Sequence, residues 1–485
     1  MLDSNLKSAV IQVAVCTLAN WGMVTSGIIQ GFPSALMPPL LGSGPGLHTS
    51  VHHSSWIVGV TYLSASVMCL PGGYLTDWIG RRWGLLLLNL SFAVGWLLIA
   101  LFPLSLTALY IGRGISGMGL GLATSVGATY TAEIASDSLR SVLVMFTPVM
   151  LSFGLILVYL WAFLYQNSWT ELSYFAFGLS MIPVSLGMLL PESPLWLLNR
   201  GRAEEALQAL QRLRGTSTPE QIRKELDNFS SIVKDKKQTV SWFSTLNHLK
   251  QPQAFKPLLI MNVYYFLIHC SGVSIVVVFA VDFARDAGIR AVAYHVALAI
   301  SLTRIFATFL TIWACNTYGR RKPAIVSGVI MSVSLAILSL SISKFLILTP
   351  WLVSILLVVY MLSSSLGFST LPMSMMGELF PTDVRGLASG LTASMIFLGS
   401  FSSVKLYPIM VVTFGSFPVF MFFTISGLFG TIFIYLFLPE TNGKTLEEIK
   451  EYFIGSTKEV ARMRNLFQQE EEQSLLQDPE SDNPA

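Results

Sequence analysis

Charge is what this chain has least of. Only 12% of its 485 residues are Asp, Glu, Lys or Arg, against 53% hydrophobic residues, whereas a water-soluble domain carries about 25% charged residues. The shortage excludes a water-soluble globular protein and directs attention to the membrane. The net charge of +3 says little in itself, and nucleic acid is not expected as a partner. Cysteine is scarce too. The four present, Cys16, Cys69, Cys270 and Cys315, all fall in apolar runs, which excludes a disulfide framework and leaves small core residues. No cleavable signal peptide is evident, because the first apolar run, residues 9–39, is too long for a signal's apolar core. Enzyme signatures are missing as well: no Walker loop, no paired catalytic carboxylates and no nucleophile–base motif, so neither catalysis nor a cofactor is expected. His48, His52 and His53 have no acidic or cysteine companion and read as a polar loop rather than a metal site.

What the sequence has in abundance is long apolar runs. A helix crossing a bilayer needs about 20 mostly apolar residues. Twelve such runs centre near residues 27, 64, 93, 118, 153, 181, 268, 302, 332, 362, 396 and 427. They are continuous rather than alternating, so helices are expected and barrel strands are not. The expected fold is an all-α membrane protein of twelve transmembrane helices in two pseudo-symmetric six-helix bundles. Its boundaries are residues 1–190 for the first bundle, 191–254 for a cytoplasmic loop with short helices, 255–440 for the second bundle and 441–485 for a tail. Most lysines and arginines gather on one side of the twelve runs, among them Arg81, Arg82, Arg140, Arg320, Arg321 and Arg385. The positive-inside rule makes that side cytoplasmic and puts both termini there. Within the loop, "RAEEALQALQRLRG" sets Ala206, Leu207, Leu210 and Leu213 along one helical face, suited to lying on the bundle or to a solvated linker. The polar tail reads as disordered.

The chain also repeats itself. "DWIGRR" (77–82) returns as "NTYGRR" (316–321), Glu133 precedes Arg140 by the same seven residues that part Glu378 from Arg385, and "PESPLWL" (191–197) returns as "PETNGKTL" (439–446). Three pairs at nearly one separation indicate two homologous halves, the mark of a secondary transporter with its site between them. Each motif falls at a cytoplasmic helix end, where ionic groups escape the cost of lipid burial. Asp77, Arg81, Glu133, Arg140 and Glu192 in the first half, and Arg320, Glu378, Arg385 and Glu440 in the second, are expected to form gating salt bridges that hold the inside shut while the outside is open.

"GGYLTDWIGRR", "RGISGMGLG", "PESPLWL", "GELFPTDVRG" and "PETNGKTLEEI" resemble the sugar porter branch of the major facilitator superfamily, and within it the facilitative trehalose carriers of insects. The resemblance runs over roughly residues 10–455. It implies alternating access around a central cavity. It also implies a substrate-lining segment in span seven, at "FLIHCSGVSIVVVF" (266–279). Hexose carriers of the branch have amide side chains there; this chain has Ile268, His269, Ser271, Gly272 and Ser274. Other contacts differ likewise: Pro148 in span five, Arg304 in span eight, Thr370 and Met373 in span ten, Ile396 and Phe397 in span eleven. Each unpaired polar group of a buried sugar costs about 1–3 kcal/mol, so an ordinary hexose is disfavoured. The polar candidates for substrate contact are Gln30, Thr147, His269, Ser271, Ser274, Thr303 and Arg304, with Met373 and aromatic faces from Phe32, Phe279 or Phe397.

Two residues bear on mechanism. Proton-linked members carry an aspartate in span one where this chain has Ile29, and no carboxylate falls mid-span elsewhere, which favours downhill transport over proton coupling. Arg304 stands sixteen residues before Arg320, about 24 Å along a helix, too deep to reach the cytoplasmic surface. It either faces the cavity and attracts an anion or bonds helix carbonyls structurally. The functions left open are facilitative transport of a sugar such as trehalose, carriage of a small anionic metabolite on Arg304, and a non-transporting solute sensor. Plasma membrane is the expected location. Glu471, Leu475 and Leu476 resemble an acidic dileucine sorting signal, which would make endosomal or lysosomal membrane the alternative and a sorting adaptor a partner.

Overall fold

A computed structural model describes residues 2–42, 47–165, 168–215, 222–227, 229–230, 248–289, 293–381, 384–444 and 447–455. The tail signal at Glu471, Leu475 and Leu476 lies outside them, as does most of the tail.

The described residues form twelve helical spans. Ten stretches are long and apolar enough to cross a membrane; the other two are spans four and seven, and the reason differs for each. Span four, Leu106–Ile134, is an unbroken helix whose glycines, Arg113 and Glu133 dilute its hydropathy. Span seven is three helices in series, Pro252–Cys270, Val273–Val278 and Ala280–Asp286; the last two are too short, and Lys256, Asn262 and His269 dilute the hydropathy of the first. The remaining spans are one (Leu2–Gly31 with Pro33–Leu41), two (Val51–Ile79), three (Arg81–Leu101), five (Phe146–Leu164), six (Trp169–Leu186), eight (Ala293–Tyr318), nine (Arg321–Ile342), eleven (Arg385–Phe414) and twelve (Ser416–Phe437). Span ten runs Pro350–Ser363, passes through a π-helical turn at Ser364–Phe368 and resumes over Leu371–Leu379. His52 and His53, expected in a loop, instead start span two, where Ser50 caps the His53 N–H at 3.4 Å and His53 pairs with Tyr110.

Inside the bundle, helices approach as closely as glycine allows. A Cβ on Gly112 would lie 2.7 Å from the Gly95 carbonyl, one on Gly117 2.2 Å from the Thr61 carbonyl, and one on Gly121 2.5 Å from the Ala65 carbonyl. Gly112, Gly117, Gly119 and Gly121 therefore let span four pack against spans two and three at backbone contact, the arrangement that stabilises helices where lipid removes the hydrophobic drive. Outward-facing spans show the opposite. Span nine exposes Val326, Val329, Ile330 and Val333, and span twelve exposes Phe422, Ile425, Leu428, Phe429 and Ile432, stripes at helical spacing that suit acyl chains.

The loop helix Ala203–Arg214 buries Ala206, Ala209, Leu210 and Leu213, with Leu207 half-buried. It docks on the first half: Arg214 Nη1 donates to the Ile134 carbonyl at 3.0 Å while its other nitrogens hold Glu225. This helix is a bundle element, not a solvated linker.

The break in span seven has a local cause. Gly272 sits at φ 82°, in the left-handed region, between the first two helices of the span. Phe423 of span twelve crowds it from outside, 2.8 Å from where a Cβ would stand. For any other residue the left-handed conformation alone costs about 1–2 kcal/mol. Gly272→Ala is therefore expected to lower the thermal midpoint of the detergent-solubilised protein, and Gly272→Val more so. Unchanged midpoints for both would show that the break does not need glycine.

Candidate functional site

The repeated motifs build two matching charge clusters on the arginine-rich side. In the first half Arg81 pairs with Asp77 one turn earlier and with Glu133 at 3.0 Å. In the second Arg320 pairs with Glu378, and its Nη1 donates to Ser374 Oγ at 2.9 Å. Ser374 stands in for an acid here, because Asn316 occupies the place of Asp77. Glu192 and Glu440 do not extend these ion pairs. Each caps a helix start through backbone N–H groups: Glu192 accepts from Arg81 at 2.9 Å and Arg82 at 3.1 Å, and Glu440 accepts from Arg320 at 2.9 Å and Arg321 at 3.1 Å. A carboxylate at a helix N-terminus is favourable for exactly the reason that the first N–H groups lack partners. Arg140 and Arg385 match as well. Arg140 Nη2 reaches the Ala135 carbonyl at 3.5 Å and Arg385 Nη2 the Phe380 carbonyl at 3.3 Å; both close the end of the preceding helix.

Every described contact of Arg81, Glu133, Arg320, Glu378 and Glu440 lies within its own half. Among the described residues none of these five bonds the other half in this conformation; the expected bridging concerns the conformation in which the inside is shut. The motif residues instead fix the junctions between spans two and three and between spans eight and nine.

The halves are joined on the far side, by groups the motifs do not contain. Ser34 of span one donates to the Val278 carbonyl at 3.1 Å, and the Tyr159 hydroxyl of span five donates to the Val277 carbonyl. Those carbonyls end the middle helix of span seven, where intrahelical partners run out. Span two meets span eleven along its length. Ser66 bonds the Ser394 carbonyl at 2.9 Å, Tyr62 stacks on Phe397 at 6.4 Å, and Trp56 contacts Phe401 at 5.7 Å. Lys405 of span eleven completes the seam, donating to Ser55 Oγ at 2.9 Å with its ammonium 4.4 Å from the Trp56 ring centroid. Such a cation–ring contact contributes about 0.5–2 kcal/mol. No repeat or motif marks Ser34, Trp56 or Tyr159; Lys405 alone carried a signal, as a charge inside an apolar run.

Several expected substrate contacts are placed elsewhere. Ser271 has no exposed surface; its hydroxyl returns to the Ile268 carbonyl at 2.7 Å and its own carbonyl accepts from Tyr360 at 3.0 Å. It packs inside the second half and lines no cavity. His269 is buried against span eleven, with its Cδ2 2.4 Å from where a Gly399 Cβ would be. Its Nδ1 bonds Ser274 Oγ at 2.8 Å, and its Nε2 faces the Ile396 backbone without reaching hydrogen-bond geometry. Phe32 and Phe279 are buried within their own halves, against Trp96 and Tyr407 respectively. Thr147 donates to Asn20 Oδ1 at 2.8 Å, and Asn20 in turn donates to Thr131 at 2.8 Å, a polar tie among spans one, five and four. Thr303 is satisfied by the Ala299 carbonyl at 2.7 Å. Gln30, Ser274 and Arg304 are half-buried and Met373 is exposed. The Arg304 side chain makes no hydrogen bond or ion pair among the described residues, while its carbonyl accepts from Thr308 at 2.9 Å; Tyr159, across the seam, is close enough to feel its charge.

Twelve spans, two matched halves and a seam closed at one end define a membrane transporter of the major facilitator fold. The inward-open xylose transporter XylE of E. coli superposes with a TM-score of 0.72 over 92% of this chain and 99% of its own, at 19% identity. The proton:xylose symporter form of XylE bound to 6-bromo-6-deoxy-D-glucose gives 0.69 over 93% and 100%. At such identity the likeness is one of fold. The chain belongs to the sugar (and other) transporter family, whose model matches residues 8–453. It is 27% identical to a facilitated trehalose transporter Tret1 of Culex quinquefasciatus, over 94% of this chain and 89% of that one. It is 28% identical to the Drosophila willistoni Tret1 over 93% of this chain, but it spans only 52% of that relative's length.

Two predictions follow from the site's geometry. Lys405→Ala removes a bond and a ring contact that only the closed far side supplies. A membrane-impermeant thiol reagent applied from that side should modify a Ser66→Cys reporter several-fold faster in the Lys405→Ala background, and equal rates would contradict the seam. The second concerns the two caps. Burial pushes the Glu192 carboxyl up, with its N–H donors opposing. Burial also acts on Glu440, but four backbone N–H donors outweigh it and hold that carboxyl below the usual range. A depressed carboxylate contributes stability above its unfolded value and loses it as pH falls through the folded one. Glu440→Gln should therefore lower the thermal midpoint near neutral pH, by an amount that shrinks on acidification below the carboxylate range. Glu192→Gln should cost less at neutral pH, since ionised Glu192 is itself disfavoured by burial.

Proposed function

We propose that this protein is a facilitative carrier of a sugar, with trehalose or another non-hexose sugar as solute, working by alternating access from the plasma membrane with its arginine-rich side in the cytoplasm. The observation that carries the reading is the seam. Inter-half bonds are made on the far side, by weak and reversible contacts, while the motif charges stay within their halves. That is the arrangement of a carrier facing the cytoplasm, ready to reopen. Membership of the sugar (and other) transporter family and similarity to proteins named as trehalose transporters supply the solute class. Ile29 in span one, and the lack of mid-span carboxylates in the sequence, favour facilitated diffusion over proton coupling.

Ser274 is the span-seven residue best suited to touch solute. It is half-buried and held by the His269 ring, so His269 acts as a positioning residue. Arg304 favours a second reading. A guanidinium with no described ion pair, beside the seam, would attract a carboxylate or phosphate solute.

Uptake into proteoliposomes tests both. Labelled trehalose should equilibrate without accumulating, at a rate unaffected by an imposed proton gradient. Ser274→Ala should raise KM about 2–10-fold, the worth of one hydrogen bond, whereas Ser271→Ala should leave KM alone. Loss of anion uptake in Arg304→Gln, with trehalose not transported by either protein, would replace the sugar by an anionic metabolite.

A further inference from the structure

Arg113 is the most deeply buried arginine among the described residues. It lies in span four at 1% exposure, about two turns from the far end of the helix. Its Nη1 donates to the Ile29 carbonyl at 3.0 Å, and the guanidinium carbon sits 5.6 Å from the Phe32 ring centroid. Its Nε and Nη2 are buried without a hydrogen-bond partner among the described residues. No described carboxylate pairs with it, and Ile29, the side chain nearest in sequence to that bond, supplies no charge.

The surroundings are as unsatisfied as Arg113 itself. The Tyr62 hydroxyl, close enough to feel the guanidinium's charge, has no partner. Ser116 Oγ, one turn along the same helix, has none, and neither has Thr61 Oγ1 beside Tyr62. Trp96 Nε1 is unpartnered across the Phe32 ring, whose centroid is 4.9 Å from that of the indole. Native interiors satisfy nearly all such groups, and here the guanidinium and the Tyr62 hydroxyl, close enough to feel each other's charge, are both left short of partners.

The unmatched atoms have one chemistry. Guanidinium and indole N–H groups are donors only, and the hydroxyls can all donate. What completes the set is an acceptor. It must also carry charge, because arginine does not deprotonate in proteins and an isolated buried charge costs several kcal/mol even after relaxation. A neutral water would accept the bonds but leave that charge uncompensated. We propose that Arg113, with Tyr62, binds a small monovalent anion, of the size and charge of chloride, where spans one, two and four meet. Tyr62 also stacks on Phe397 across the seam, so the anion supports the face on which the halves close.

The test is halide-dependent stability of the purified full chain. Thermal midpoints are measured in sodium chloride, sodium bromide and sodium gluconate at equal ionic strength. Because a ligand of the folded state stabilises by mass action, the midpoint should rise by several degrees, saturably, with chloride or bromide replacing gluconate. Ile29→Glu, which places a resident carboxylate beside the guanidinium, should make the midpoint independent of halide. In bromide-soaked crystals the anomalous signal should fall at Arg113. Equal midpoints in chloride and gluconate would overturn the site. So would a halide effect that persists unchanged in folded Ile29→Glu, or bromide signal confined to other places. Should Ile29→Glu not fold, the wild-type bromide position decides alone. None of these readings depends on which solute is transported.

Discussion

A backbone group inside a bilayer has no water to turn to. Every interruption of a transmembrane helix must therefore be repaired by a neighbouring chain segment, and this requirement organises the whole molecule. Span seven is interrupted at Gly272 and again at Phe279. The first interruption is repaired from within its own half, by Tyr360 donating to the Ser271 carbonyl. The second is repaired from the opposite half, by Ser34 and Tyr159 donating to Val278 and Val277. The difference matters mechanically. A repair made within one half persists through any rigid movement of the halves, whereas a repair made across them exists only while the far side is closed. Opening that side exposes two carbonyls at the moment when water can enter to satisfy them, so the rearrangement avoids stranding a polar group in a dry site.

Much of the fold was legible because lipid imposes length and composition together. The twelve apolar runs could be counted, and the halves were visible in three paired motifs. The breaks were not. "SG" at Ser271–Gly272 lies in an apolar run like any other, and nothing local reports that Phe423, distant in sequence, crowds its Cβ position. That break turned the site reading around. On a continuous helix Ser271 and Ser274 lie on nearly one face, three residues apart. The left-handed residue between them rotates the second helix relative to the first, so that Ser271 is enclosed by Tyr360 and span twelve while Ser274 remains half-buried.

The charge motifs teach a related lesson. Their spacing identified the participants, and Arg81–Glu133 and Arg320–Glu378 were expected pairs. Spacing carries no information about whether a partner belongs to the same half, and a gate and a hinge brace look alike in sequence. Gly80 and Gly319 separate the two. Both have positive φ, 104° and 82°, and the carboxylates of Glu192 and Glu440 lie so close that a Cβ would meet them at 2.5 and 2.8 Å. The glycine turns the chain, the carboxylate caps the following helix, and the arginine then ties to the next span. Each motif is one compact corner, built twice.

The scarcity of charge with which the sequence opens has its sharpest consequence along the seam. Three cations lie within spans, Arg113, Arg304 and Lys405, and no carboxylate stands mid-span to answer them. Lys405 is held by a ring, a hydroxyl and the His52 carbonyl at 3.4 Å. Arg304 faces Tyr159, and Arg113 has the Ile29 carbonyl and the Phe32 ring. A carboxylate among them would have formed ion pairs whose making and breaking is tied to proton uptake. Three cations of one sign instead set a fixed positive potential that aromatic faces and carbonyls offset in part. Such a distribution of charge suits the facilitated diffusion and the anion site proposed above.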